Sequence, residues 1–546
     1  MYINKLLTEA SKLLTSGKFN KAELNYKKII KLDPDNIIAL NNLGHLFLLQ
    51  KKYNDALILL DRLLKTNPKI PEALNNKGNC LQELGHYDDA LECFKKAFDL
   101  KPNYVEAIYN QGICLNKLNR YDEALICYQK TLNLKPDFYD ALVNQGECLN
   151  ELNRYDESLA SSQKALDLKP DLFEAFNNKG NSLKMIGRYD EALISYKKAL
   201  ELKPDFYEAL NNQGSSLRKL GRYDEALTSF QKAIYFEPNY FLALNNLGHL
   251  QLTQGNFKAG WKNYEYRKKI HKKKYLTFNT NIEWIGDKDL KDKTIFISKE
   301  QGLGDYIQFC RYLPMVKELG AKIILNTPQS LTSMIDSMNL DYTDINKLNM
   351  KEINYHCSIV SLPLAFGTSI DTIPNKTPYF FTPKDKLNFW KQKLKNSKSK
   401  KIGIKWTGSK SYGSEDKRSI NLEQLKTLFD LPYEFHSLEI EYSKNDEKLL
   451  KEIKNFHCHK NEIIGFDSTA GLIEAMDVII SVDTSIAHLC GAINKSVWIL
   501  LAFDPDFRWL LYRNDSPWYP SAKLYRQTKL DDWDSVVKNI KNDIIK

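Results

Sequence analysis

Apolar side chains in the first half of the chain recur every three to four residues in short runs, and the whole pattern returns every 34 residues. Pro34, Pro68, Pro102, Pro136, Pro170, Pro204 and Pro238 stand one such step apart. Within a unit, Leu40, Gly44 and Phe47 keep the spacing of one packed helix face. A second run opens on an aromatic residue at Phe19, Tyr53, Tyr87, Tyr121, Tyr155, Tyr189, Tyr223 and Phe257 and carries small residues such as Ala56, Ala90, Ala124 and Ala192. Proline, which cannot continue a helix, then closes the unit. The pattern predicts eight pairs of antiparallel helices, phased as 3–36, 37–70, 71–104, 105–138, 139–172, 173–206, 207–240 and an irregular 241–274. A single pair is too small to bury its apolar face, so the pairs must stack.

This period, with its proline and glycine positions, resembles the tetratricopeptide repeat family and implies an all-α superhelix over residues 1–274. A second ladder keeps the same step: Asn42, Asn76, Asn110, Asn144, Asn178, Asn212 and Asn246. Asn42 sits about 200° around the helix from Leu40, away from the packed face and toward the concave groove. Asparagine is a poorer helix former than alanine by about half a kcal/mol, so keeping it in seven of the eight units asks for a reason. An amide both donates and accepts, which suits the backbone of an extended polypeptide; hydrogen bonding between repeats is the other reading. A similar asparagine-lined superhelix in the O-linked N-acetylglucosamine transferases holds acceptor polypeptide, and the resemblance implies the same use here.

After Tyr275 the period disappears, and short β-rich runs alternate with helical ones. Thr294–Ser298 reads as a strand, 301–305 as a tight turn, Tyr306–Leu319 as a helix and Ala321–Asn326 as the next strand, a βαβ unit. A second series runs through Lys401–Trp406, Tyr433–Leu438, Glu462–Ile464, Asp477–Val482 and Val497–Leu501. We therefore expect a basic linker at 275–292 and two Rossmann-like α/β halves, 293–390 and 391–546, with ligands at the carboxyl ends of their strands.

Charge and cysteine change this picture little. The net charge of +10 is concentrated rather than spread: residues 251–274 hold eight basic side chains against Glu265 alone. That segment suits nucleic acid, acidic lipid or an acidic substrate, but a solvated lysine face at a domain seam is the favoured reading. No nucleic-acid partner is expected, and peripheral membrane contact through 258–274 stays open. Of the nine cysteines, Cys80, Cys114 and Cys148 share one repeat register and Cys93 and Cys127 another, as small core residues do, and the spacing gives no disulfide framework. His457-Cys458-His459 is the one His/Cys cluster and makes a poor metal site by spacing alone, so no metal is expected. No apolar run approaches a membrane span, and the first ten residues do not read as a secretion signal, which together predict a cytoplasmic protein.

The chemistry concentrates in the second half. Asp305, at the mouth of the first strand, is placed to take a proton or to cap a helix. Asp483-Thr-Ser-Ile-Ala-His488 follows an apolar strand and opens a helix, whose N–H groups with Thr484 and Ser485 suit a diphosphate. With Glu300-Gln-Gly-Leu-Gly-Asp305, Ser361-Leu-Pro363, Lys417-Arg-Ser-Ile420, Arg508-Trp-Leu-Leu-Tyr-Arg513 and Asp515-Ser-Pro-Trp-Tyr519, these blocks resemble the heptosyltransferase-related glycosyltransferases of GT-B fold. The order of parts is similar to bacterial proteins in which tetratricopeptide repeats precede such a domain.

The resemblance implies a metal-independent inverting transfer from a nucleotide sugar, with Asp305 as base and no cofactor. Lys417, Arg418, Asp483, Thr484, Ser485 and His488 would meet the donor, although Ser485 replaces the family's glycine. Gln301, Gly302, Gly304, Arg508 and Arg513 are cleft candidates. Asp504-Pro-Asp506 resembles the metal-binding motif of other transferases, which a cleft of this type does not need. The expected acceptor is a protein held by the repeats, as in flagellin-modifying enzymes of this layout. A lipid-linked or surface glycan, and a scaffold with a relic transferase domain, are the alternatives.

Overall fold

The computed structural model describes residues 1–270, 282–345, 353–408 and 418–546. Sixteen helices in eight antiparallel pairs occupy the repeats, from Tyr2–Thr15 and Phe19–Leu32 to Phe241–Thr253 and Phe257–Tyr264. The second helices begin on the aromatic positions and end two residues before each proline. Each first helix lies close on its partner: a Cβ at Gly112 would stand 2.5 Å from the ring of Tyr128, so a larger residue would force the pair apart. Leucine, alanine and tyrosine fill the spaces between pairs, as around Tyr26 and Leu60 or Tyr196 and Ala209.

The remainder is α/β. Strands β1 (Thr294–Ser298), β2 (Lys322–Leu325), β3 (Tyr342–Asp344) and β4 (Tyr355–Ser358) form a parallel sheet in the order β3-β2-β1-β4. Strands β5 (Lys401–Lys405), β6 (Glu434–Ser437), β7 (Phe456–His457), β8 (Val478–Val482), β9 (Val497–Leu501) and β10 (Ala522–Arg526) form a second parallel sheet, β10-β9-β8-β5-β6-β7. Helices connect the strands, as parallel crossovers require. Among the described residues no helix is long and apolar enough to cross a membrane.

Several sequence expectations shift. The strand expected at Glu462–Ile464 is absent; Ile464 is largely exposed, and the edge strand is β7, whose Phe456 pairs with Phe435. The helix expected over Tyr306–Leu319 is broken into Leu303–Phe309, a short tight turn of helix at Cys310–Tyr312, and Leu313–Glu318 around Pro314. The linking helix Lys384–Lys393 packs on Phe466–Ala475, with Trp390 Nε1 donating to Ser468 O at 3.0 Å, so it belongs to the second sheet's layer.

By packing, the chain divides into Met1–Ser216 and Leu217–Lys546 rather than at residue 274. The reason is the last repeat: Phe257, Trp261 and Tyr264 share one core with Phe309, Phe507 and Trp518. Trp261 Nε1 donates to Thr368 O at 3.2 Å.

Candidate functional site

Beyond β1 the chain passes through Glu300 to Gln301, whose φ of +59° lies in the left-handed region that non-glycine residues rarely adopt. Gly302 caps the helix Leu303–Phe309, and its N–H donates to Asp305 Oδ2 at 2.8 Å. At the corresponding end of β8, Asp483 precedes Thr484, which caps the helix Ser485–Ala492 and accepts the Ile486 N–H at 3.3 Å. These two helix starts, one from each sheet, pack on each other. A Cβ at Gly304 would stand 2.8 Å from His488 Cδ2, so glycine is what allows the approach.

Arg508 sits between them. Its Nη2 donates to Asp305 Oδ1 and its Nη1 to Asp506 Oδ1 at 2.6 Å, and its backbone N–H also reaches Asp506 at 3.0 Å. Burial pushes the Asp305 carboxyl up, outweighing Arg508. Burial opposes ionisation of Asp506 as well, yet Arg508 and that extra N–H hold it down at about 2. Asp483 is pushed up to about 6 by burial and by the charge of Asp506. Of the three carboxyls, burial therefore shifts Asp305 and Asp483 toward the protonated form, while Asp506 is held ionised. His488 is driven down to about 3 by burial and Arg508, which keeps it neutral. Its Nδ1 lies 3.0 Å from Tyr519 OH, and its ring stacks on Trp509 at 5.3 Å.

The loop that carries Asp305 is fastened by the last repeat. Arg267 forms a two-pronged contact with Glu300, Nε to Oε1 at 2.5 Å and Nη2 to Oε2 at 2.9 Å, and its Nη2 also donates to Ser361 Oγ at 2.8 Å. Gln301 Nε2 donates to Tyr264 OH at 2.7 Å. Arg267 and Glu300 are both buried and form a buried ion pair, which Arg267 extends by donating from Nη1 to Glu265 Oε1 at 2.6 Å and Glu300 by accepting from Ser358 Oγ. This alters the reading of the basic segment: Arg267 and Lys268, the latter paired with Glu265 and Glu283 at 2.6 Å, are turned inward. Lys258, Lys262 and Lys269 are exposed, and 271–274 lie outside the described residues. Sequence reasoning missed Arg267 because a lysine-rich run hides an arginine whose partner is 33 residues away.

Asp305, Gly304, Arg508, Asp483, Thr484, Ser485 and His488 are thus brought together. Arg418 is near enough to Asp483 to favour its charged form, and its buried Nε lacks a partner among the described residues. Lys417 lies outside the described residues. Arg513 is not part of this group: it pairs with Asp515 at 2.5 Å beside a cavity of ≈ 630 Å³ lined by Tyr223, Thr253, Gln254 and Tyr512. Asp504 is paired instead with Lys219 and Arg218, at 2.6 and 3.4 Å.

In Met1–Ser216 the asparagine ladder has a partner in the preceding repeat. Nδ2 donates to Asn41 Oδ1 from Asn76 at 3.0 Å, to Asn75 Oδ1 from Asn110 at 3.3 Å, to Tyr109 OH from Asn144 at 2.9 Å, to Val143 O from Asn178 at 3.0 Å and to Asn177 Oδ1 from Asn212 at 3.3 Å. Asn42 likewise donates to Tyr26 OH of the preceding unit at 3.3 Å. Each of these amides thus spends at least one N–H on the scaffold; Asn144 also lines a cavity of ≈ 390 Å³ with Tyr109, Tyr139, Lys169 and Phe173.

Tetratricopeptide-repeat family models match residues 13–76, 117–172, 173–206, 195–228 and 214–255, and the model of the anaphase-promoting complex, cyclosome, subunit 3 matches 49–131. Protein FlbA of Caulobacter vibrioides is 21% identical over 315 residues, 53% of this chain and 52% of FlbA, so the chain spans about half the length of that relative. Among solved structures, YrrB, described as a TPR protein with an unusual peptide-binding site, is 26% identical, covering 34% of this chain and 96% of its own at a TM-score of 0.29. A tetratricopeptide repeat protein of Parabacteroides merdae is 21% identical, covering 45% and 97% at a TM-score of 0.38. The period, the helix pairs and the matched repeats agree: the N-terminal part of the chain is a tetratricopeptide-repeat superhelix, followed by an α/β region of parallel sheets.

Proposed function

We propose that the chain is a glycosyltransferase that moves a sugar from a nucleoside-diphosphate donor to a protein held by its repeats. One observation carries the reading: loops from the carboxyl ends of central strands in two separate parallel sheets meet at Asp305, Arg508, Asp483 and His488. Strand ends of such sheets are where phosphorylated ligands bind. Asp305, with its raised pKa, accepts the proton of the acceptor hydroxyl. The hydroxyl oxygen bonds to the anomeric carbon as the bond from that carbon to the diphosphate oxygen breaks, and the electron pair leaves with the diphosphate. Arg508, Arg418 and the N–H groups that open the Ser485 helix neutralise the leaving charge. A diphosphate competes with Asp305 for the Arg508 guanidinium, and its arrival frees the base. The repeats and the aromatic cavity at Asn144 support a polypeptide as acceptor.

A second reading, a protein-binding scaffold with an idle α/β region, is favoured by the engagement of both Asp305 oxygens. Thermal-shift titration of the whole chain with nucleoside diphosphates separates the two. The transferase reading expects stabilisation by one nucleotide class, about 2.7 kcal/mol at a concentration a hundredfold above Kd. Asp305→Asn should keep that shift while transfer to protein falls by about 10²-fold or more. No response to any diphosphate leaves the scaffold.

A further inference from the structure

Alternation along β6 places Glu434 and His436 on one face, and the parallel register sets His436 opposite His457 of β7. Glu434 Oε2 is 3.7 Å from His436 Nε2 and 3.9 Å from His457 Nε2, and the three potential ligand atoms lie within 4.8 Å of one another. His436 is fully buried, and its Nε2, directed at this group, has no hydrogen-bond partner among the described residues. A buried ring nitrogen left unpaired is costly, and proteins seldom leave one without a reason. Its other nitrogen, Nδ1, lies 3.0 Å from Nε2 of the buried His459, whose ring in turn meets the Trp390 ring edge-on at 5.0 Å. A histidine held through one nitrogen while the other points at a carboxylate and a second imidazole is the arrangement of a metal ligand with its outer support.

We propose that Glu434, His436 and His457 form a binding site for a divalent first-row transition ion, Zn²⁺ by donor type, with His459 orienting His436. Two imidazoles and one carboxylate complete three positions of a tetrahedron and leave the fourth to water. Ligand atoms around Zn²⁺ stand about 3.3 Å apart when the bonds are 2.0–2.1 Å. The spacing here closes to that value by rotation of Glu434 and His457, whose side chains are 27% and 45% exposed, around the fixed His436. The site lies at the edge of the sheet, away from β8 and the candidate active site, and its role is to clasp the two-residue strand β7 to β6. The spacing of His457-Cys458-His459 alone concealed it, because the remaining donors come from a strand some twenty residues earlier.

The test is calorimetric titration of the chelator-treated whole chain with Zn²⁺. A single equivalent should bind and raise the melting temperature. His457→Ala and Glu434→Gln, both on partly exposed side chains, should each weaken binding about tenfold or more, His459→Gln should weaken it by about tenfold, and Cys458→Ser should leave it unchanged. Absence of stoichiometric uptake, uptake indifferent to His457→Ala and Glu434→Gln, or uptake lost with Cys458→Ser overturns the proposal.

Discussion

Around Arg508 three carboxyls compete for a buried environment with too few cations, and the outcome differs for each. Asp506 receives one guanidinium nitrogen and a backbone N–H, whereas Asp483 relies on longer-range attraction from Arg418 and Arg508. An aspartate of ordinary pKa about 3.9 when unfolded and about 6 when folded holds its proton more tightly in the native chain. Between those two values the folded state binds more protons than the unfolded, so stability declines as pH rises through that window and the penalty persists above it. Asp483→Asn should therefore raise the melting temperature relative to the parent at about pH 8 and lose that advantage near pH 4. Melting curves at the two pH values check this; an unchanged difference would mean that Asp483 is not protonated in the fold. A gain in stability accompanied by lost donor binding is the pattern of a group kept for function.

Among the elements, the repeat helices show how one residue type serves two ends. From Asn42 to Asn212, the asparagine of a first helix lowers intrinsic helix propensity by about half a kcal/mol, and the hydrogen bond it makes to the preceding repeat returns about 1 kcal/mol. The balance favours asparagine only when the neighbour is in place, so the ladder strengthens stacking more than it strengthens any single helix. Replacing Asn110, Asn144 and Asn178 together by alanine should lower the stability of the repeat unit by about 1–2 kcal/mol, read by urea unfolding. If acceptor use falls while the urea midpoint is unmoved, the amides serve the ligand instead. The α/β elements were less legible. Strands β1, β5, β8 and β9 are buried apolar runs and could be placed from residue type, but β7 has only two residues and β3 is part exposed. Their assignment comes from the neighbour they pair with, which a local pattern does not contain.

At the level of the whole chain, the division at residues 216 and 217 rather than at 274 has a measurable consequence. A chain of residues 275–546 lacks Phe257, Trp261 and Tyr264, each worth about 1.5–3 kcal/mol of burial. It also leaves Glu300 buried without Arg267, a loss of about 3–5 kcal/mol. Together these rival the 5–15 kcal/mol that holds a domain folded. Residues 275–546 should therefore bind a hydrophobic dye and melt without cooperativity, whereas residues 205–546 should melt in a single transition. Equal cooperativity in the two would show that the last repeat is dispensable.

Periodicity by itself determined the repeats: a 34-residue step of apolar, glycine and proline positions admits one local solution, because each pair finds its partner in the next copy of itself. Beyond Tyr275, where the period is lost, apolar runs followed by turn residues placed Asp305 and Asp483 at strand-to-helix turns and His488 in the helix that follows. Tertiary structure decided the rest, since those outcomes depend on side chains distant in sequence. It paired Arg508 with Asp305, turned Arg267 inward onto Glu300, joined the asparagine amides to neighbouring repeats and set Arg513 apart from the site. Charge and hydrogen-bond partners are chosen by the packed neighbourhood, and the linear pattern specifies only which residues stand ready to be chosen.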